Sequence, residues 1–293
     1  MAKSSNGTAN ADSQTTCQMN RYLKPALFAA VFVGLTLLTQ IGGLIFAAAY
    51  WIGRRASVGL QQRWLRWCLP VLAFGILYSV MTVLVIPKAA EAFGRVRLPC
   101  FQDGNATVVP ANWLTCALNR GYVKAELRVV IEALGADIST RFRGSRVTVL
   151  EGGFPFVDGF PMLPHLSHKD GRKVDLSFFY KSSDGKRQIG SGSPSLLGYF
   201  LYEEPQIGET LSCEGRWTPL RWDFAVFQKL KPEWVIDEER TSWMLHWIVT
   251  RDDVSRIFIE PYLARRMGFE GGKVRFQGCH AARHDDHIHV EMR

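Results

Sequence analysis

His284-Asp285-Asp286-His287-Ile288-His289-Val290-Glu291-Met292-Arg293 is the stretch that decides how this chain is read. Ile288 and Val290 alternate with His287, His289 and Glu291, the period of two that a strand with one polar face produces. The alternation sends both imidazoles to the same side from neighbouring pleats, where they can share a site. His284, Asp285, Asp286, His287 and His289 together offer nitrogen and oxygen donors of the kind that bind borderline divalent metals. A solvated strand is the competing reading. A purification tag is not, because its histidines would be contiguous.

A second polar cluster lies upstream, in His165-Leu166-Ser167-His168-Lys169-Asp170-Gly171-Arg172-Lys173-Val174-Asp175-Leu176. His168 stands just before a glycine turn and Asp175 opens an apolar strand. A turn between them can fold one nitrogen and one oxygen donor back towards a common point. His289 would complete the three-protein-ligand arrangement of a catalytic zinc, leaving a fourth position for water. Read singly, His168 is a hydrogen-bonded loop histidine and Asp175 a cap. Their conjunction with a separate His-x-His strand makes a metal site the better reading.

The pattern Ser167-His168-x-x-Gly171-Arg172-x-x-Asp175, followed by His284-Asp285-Asp286-His287-x-His289, resembles the penicillin-insensitive murein endopeptidases. These belong to the zinc peptidases that include lysostaphin, the D-Ala-D-Ala peptidases and the hedgehog fold. The resemblance covers residues 165–176 and 284–290 directly and the domain from 98 onward by implication. It implies zinc ligands His168, Asp175 and His289, with His287 as a catalytic histidine. His284 and His165 match further histidines near that family's metal, and Arg172 and Asp286 become candidate additional site residues. It also implies peptidoglycan peptide as substrate and hydrolysis of a cross-link amide. The chain departs from the resemblance in two ways. Murein endopeptidases are usually soluble periplasmic proteins, whereas this chain carries apolar runs. D-Ala-D-Ala dipeptidases carry Glu where this chain has Asp286, which favours His287 over Asp286 as base. A D-Ala-D-Ala carboxypeptidase or dipeptidase, and a non-catalytic zinc-stabilised wall-binding module, are the alternatives.

The remainder of the chain is consistent with an anchored domain outside the cytoplasm. Two apolar runs, Pro25 to Ile52 and Trp67 to Pro87, carry no charge and reach the roughly 20 residues a membrane helix requires. They predict a two-helix transmembrane anchor over 25–87, after a disordered tail over 1–24 and before a domain over 98–293. A cleaved signal peptide is the alternative for the first run. Arg54, Arg55, Arg63 and Arg66 between the runs place that loop in the cytoplasm and the rest outside it, in the periplasm beyond an inner membrane. The net charge of +8 follows this membrane topology, and no nucleic-acid-binding signature is visible. Cys100, Cys116, Cys213 and Cys279 suit two disulfides in an oxidising compartment. Cys100 with Cys116 and Cys213 with Cys279 is the preferred pairing of three possible.

Within the domain, helices are expected over Lys124–Leu134 with Gly135 as its cap, Trp222–Leu230, Glu238–Val249 and Pro261–Met267. Strands are expected over Arg146–Leu150, Val174–Tyr180, Val254–Glu260, Lys273–Gln277 and the terminal stretch. Strands and helices mix without a βαβ rhythm, so the fold class is α+β, with a mainly antiparallel sheet and flanking helices.

Overall fold

The computed structural model describes residues 8–195, 201–215, 221 and 225–293. It divides at Met81/Thr82 into two compact units. The first holds α1 (Thr8–Thr39), α2 (Gly42–Ala56) and α3 (Arg63–Val80). The first apolar run, expected as one span, is therefore two helices. Its break has local causes. The hydroxyls of Thr36 and Thr39 donate to the carbonyls of Phe32 and Leu35, each at 2.8 Å. Gln40 takes φ +68°, and Gly42 N–H donates to Thr39 Oγ1 at 2.8 Å. A Cβ on Gly43 would lie 2.4 Å from the Phe32 carbonyl, so only glycine permits this close return. The apolar part of α1 starts at Leu23, and α2 has 15 residues, so both fall short of a bilayer crossing.

The second run behaves as expected. α3 continues through a π-helical turn (Met81–Val85) into α4 (Ile86–Glu91). Arg63–Glu91 is, among the described residues, the one helix long and apolar enough to cross a membrane. One candidate span therefore stands where two were expected. α1 begins at Thr8, inside the stretch expected as a tail. Residues 1–7 lie outside the described residues.

The second unit begins at Thr82, not at 98. Thr82, Ile86 and Ala90 are buried, and Arg97 Nη1 donates to the Thr82 carbonyl at 3.2 Å. Its elements are β1 (Val96–Arg97), β2 (Val108–Pro110), α5 (Leu114–Ala117), β3 (Tyr122–Val123) and α6 (Ala125–Arg141). Then follow β4 (Val147–Glu151), β5 (Lys173–Ser177), β6 (Tyr180–Ser182), β7 (Gln188–Ile189) and α7 (Ala225–Gln228). β8 (Trp234–Ile236), α8 (Glu238–Val249), β9 (Val254–Phe258), α9 (Pro261–Arg266), β10 (Val274–Arg275) and β11 (His287–Met292) complete it. Of the helix expected over Trp222–Leu230, residues 222–224 lie outside the described residues.

Six strands form one sheet in the order β10-β9-β11-β5-β4-β2. The inner joints are antiparallel, while β10–β9 and β2–β4 are parallel. The α+β class holds, and the sheet is mainly antiparallel, as expected, with parallel joints at its two edges. Val149, Val174, Leu176, Ile257, Ile288 and Val290 belong to the core with Leu127, Ile131, Leu134 and Ile138 of α6 and Met244, Leu245 and Ile248 of α8. Gly135 is not a cap but lies inside α6. A Cβ there would meet Val108 Cγ2 at 2.7 Å and the Thr107 carbonyl at 3.0 Å, so glycine lets helix and β2 touch. Arg240, fully buried, joins the small sheet β7-β6-β8 to α8. Its guanidinium reaches Asp237 at 2.9 Å, Ser145 Oγ at 2.9 Å and the Tyr180 carbonyl at 2.5 Å. Both expected disulfides are present, Cys100–Cys116 and Cys213–Cys279, with Cα separations of 5.5 and 5.6 Å.

Candidate metal centre

Sheet register assembles the site. Across β4, β5, β11 and β9 the pairs Glu151↔Asp175, Asp175↔His289 and His289↔Phe258 form one continuous row. Directly opposed residues keep their Cβ atoms about 5 Å apart, close enough for short polar side chains to touch. A register shift between Val149 and Glu151 brings the glutamate into the row. The neighbouring residues Leu176, Ile288 and Val290 alternate with this row and belong to the apolar core. One strand period therefore builds core and site together.

Three donor atoms converge. His168 Nε2 lies 3.1 Å from Asp175 Oδ1 and 3.0 Å from His289 Nδ1, and His289 Nδ1 lies 2.8 Å from Asp175 Oδ1. Tetrahedral zinc ligands about 2.0–2.1 Å from the ion stand roughly 3.3 Å apart, so this triangle is slightly contracted but has the right size. His168 Nδ1 lies 2.7 Å from the Gly152 carbonyl. A carbonyl only accepts, so Nδ1 carries the proton and Nε2 offers its lone pair to the triangle. His289 Nε2 is buried with no hydrogen-bond partner among the described residues.

His165, His168 and Asp175 also form a buried group whose donor atoms lie within 4.8 Å of one another and could hold a metal ion. His165 and His289 thus compete as third ligand, and the geometry separates them. His165 Nδ1 faces Asp175 Oδ2 at 2.8 Å and Glu151 Oε2 at 2.7 Å, on the far side of the carboxylate from Oδ1. His289 shares Oδ1 with His168. His165 therefore braces Asp175, and Glu151 is braced in turn by Arg120 Nε at 2.6 Å.

His287 is aimed at the same place from the next pleat. Its Nδ1 lies 2.6 Å from Asp286 Oδ1, which makes Nδ1 the donor and turns Nε2 towards Asp175 Oδ1 at 3.7 Å. The His284 ring stands 4.9 Å from that of His287 and 5.6 Å from that of His289. Asp175, His287 and His289 are wholly buried, and His168 is 1 % exposed.

Burial makes the charge balance decisive. Asp175, Asp286 and Glu151 are set against Arg120 as the nearest fixed cation. Burial disfavours a charged His287, but Asp175 and Asp286 outweigh it and push the imidazole up to about 9. His168 is raised as well, Asp175 overcoming its burial. Burial lifts Glu151 to about 7 against the pull of Arg120. His165 and His284 are driven well below the ordinary range, chiefly by burial. The cluster demands positive charge, which protonated imidazoles supply and a divalent ion would supply equally. Donor type, spacing, tautomer and charge all fit a metal.

Five of the chain's seven histidines meet here: His165, His168, His284, His287 and His289. Asp175 and Asp286 meet there too. Arg172 does not. It is exposed and its Nη1 donates to the Arg293 carbonyl, so it is occupied by the far end of β11. Glu151 and Arg120 join the site without having been expected. Glu151 ends an apolar strand and its partners are 14 and 31 residues away, so no local motif marks it; the one available signal was a carboxylate closing Val147-Thr148-Val149-Leu150. A scan against protein-family models and a search of curated proteins returned no match for this chain.

Proposed function

We propose that the chain is a membrane-anchored zinc peptidase that hydrolyses amide bonds in peptidoglycan cross-links. The observation that carries this reading is the convergence of His168 Nε2, Asp175 Oδ1 and His289 Nδ1 beside a non-ligating His287 directed at the same point. Zinc held by these three residues would supply Lewis acidity towards a scissile carbonyl and acidify a water molecule. His287, held by Asp286, exchanges a proton at Nε2 or donates from it to a developing oxyanion. His165, Glu151 and Arg120 hold the second oxygen of Asp175 and keep the triangle in register. His284 packs against His287 and limits its rotation. The peptidoglycan substrate rests on the sequence resemblance.

Helix Arg63–Glu91 supports the anchoring, and we read α1 with α2 as the other half of a membrane hairpin. The two disulfides and the arginine loop favour a domain on the periplasmic side of an inner membrane.

The near-complete burial of the ligands favours a second reading, a metal-stabilised wall-binding module. One experiment separates the two. The full chain in detergent is analysed for metal and incubated with cross-linked muropeptides, beside His287→Ala. One zinc per chain in both proteins, with cleavage lost only in the variant by a factor of roughly 10²–10⁴, supports the peptidase. Metal without cleavage in either protein favours the module. Absence of metal removes both.

A further inference from the structure

The metal centre makes no use of four arginines, two at the C-terminal end of α2 and two at the N-terminal end of α3. Residues 13–90 contain no Asp or Glu, so Arg54, Arg55, Arg63 and Arg66 stand in a long stretch without a carboxylate. Their contacts are with rings and a carbonyl. Arg54 and Arg55, in the last turn of α2, lie 5.9 Å and 4.0 Å from the ring centroids of Tyr50 and Trp51. Arg66 folds back to donate Nε and Nη2 to the Leu60 carbonyl at 2.8 and 2.5 Å. With Ser57 and Gly59, Arg54, Arg55 and Arg66 line an open cavity of about 480 Å³.

The helix dipole explains only half of this arrangement. Cations in the last turn of α2 are favourable, which accounts for Arg54 and Arg55. Arg63 and Arg66 occupy the first turn of α3, where the dipole disfavours a cation and where no acid compensates. Gathering like charges at an unfavourable helix end carries a cost that a bound anion would offset. Its apolar lining residues face outward, with Trp51 56 % and Val58 81 % exposed, and Trp64 and Trp67 in the first turns of α3 are exposed as well. A water-borne anion would gain nothing from these apolar side chains, whereas a lipid presents phosphate and acyl chain together.

We propose that this cavity binds the phosphate of an anionic phospholipid headgroup, held by Arg54, Arg55 and Arg66 with Ser57 at its edge. The inference rests on Arg63–Glu91 crossing the bilayer. Each arginine near a membrane surface contributes about 1 kcal/mol, a factor of roughly five in affinity.

The test uses the full chain, purified in detergent and placed in nanodiscs of phosphatidylcholine alone or with phosphatidylglycerol. Retained lipid is read by native mass spectrometry. Beside wild type run Arg54→Gln/Arg55→Gln/Arg66→Gln, the same triple change to lysine, and Arg143→Gln in the other unit. Wild type and Arg143→Gln should retain phosphatidylglycerol over phosphatidylcholine. The glutamine triple should lose that preference by roughly two orders of magnitude, and the lysine triple should recover most of it. Equal retention of both lipids by wild type, or undiminished preference in the glutamine triple, overturns the proposal. So does complete displacement by millimolar inorganic phosphate, which would assign the cavity to a free anion. A chain that stays in solution without detergent and does not enter nanodiscs overturns the membrane reading and this inference together; entry without lipid preference overturns only the inference.

Discussion

Glu151 illustrates how far a candidate metal site extends beyond its proposed ligands. It touches neither His168 nor His289, yet its carboxylate holds His165, which holds the second oxygen of Asp175. Removing its charge while keeping its shape should loosen the triangle without collapsing the fold. Glu151→Gln is therefore expected to weaken zinc binding about 10- to 100-fold, measured by chelator competition. His287 gives a pH signature in the metal-free protein. Its folded value of about 9 lies above the ordinary imidazole value of 6.5, so folding is linked to holding a proton. That stability is fully present below 6.5 and is lost as pH rises through about 9. Urea midpoints of metal-free wild type should fall across this window, and those of His287→Gln should fall less. Zinc placed beside His287 would discharge it, so binding near neutral pH should release protons, detectable by calorimetry in buffers of different ionisation enthalpy.

At the scale of elements, the glycine turn between His168 and β5 carries the most specific constraint. Gly171 adopts φ +68°, and a Cβ there would lie 1.4 Å from Arg95 Nη1. Arg95 is 1 % exposed and pairs with Asp158, so it has no room to retreat. Gly171→Ala should cost about 1–3 kcal/mol of stability by denaturant melting and weaken metal binding, because the same turn positions His168. The sequence made β11, α8 and both halves of the candidate ligand set legible, since each is local: alternation in Ile288 and Val290, a helical run over Glu238–Val249, a glycine between His168 and Asp175. Most of what stayed hidden was non-local. The Glu151 row depends on a register shift in β4, and the misplacement of Gly135 on contact with Val108. The break at Gln40 is the local exception, set by threonine hydroxyls competing for helix carbonyls four residues back. Arg172 looked like a site residue because it is close in sequence to His168; the end of β11 claims it instead.

At the scale of the whole molecule, the disulfide Cys213–Cys279 closes the longer of the two covalent loops, with a sequence separation of 66. Loop-closure entropy sets an expected contribution of about 4 kcal/mol, against about 3 for the 16-residue separation of Cys100–Cys116. Cys213→Ser/Cys279→Ser should therefore lower thermal stability more than the corresponding change at the shorter loop, by differential scanning calorimetry under oxidising conditions. The position of β11 has a further consequence. It is the last described strand in chain order, yet it lies between β5 and β9 in the sheet. During synthesis the earlier strands must wait with an open seam, and His289 reaches Asp175 only when β11 slots into that gap. Ordering of the domain and assembly of the candidate metal site are thus timed to one late event, and a ribosome-bound chain short of β11 should accumulate as a half-zipped sheet, vulnerable to proteases until its keystone arrives.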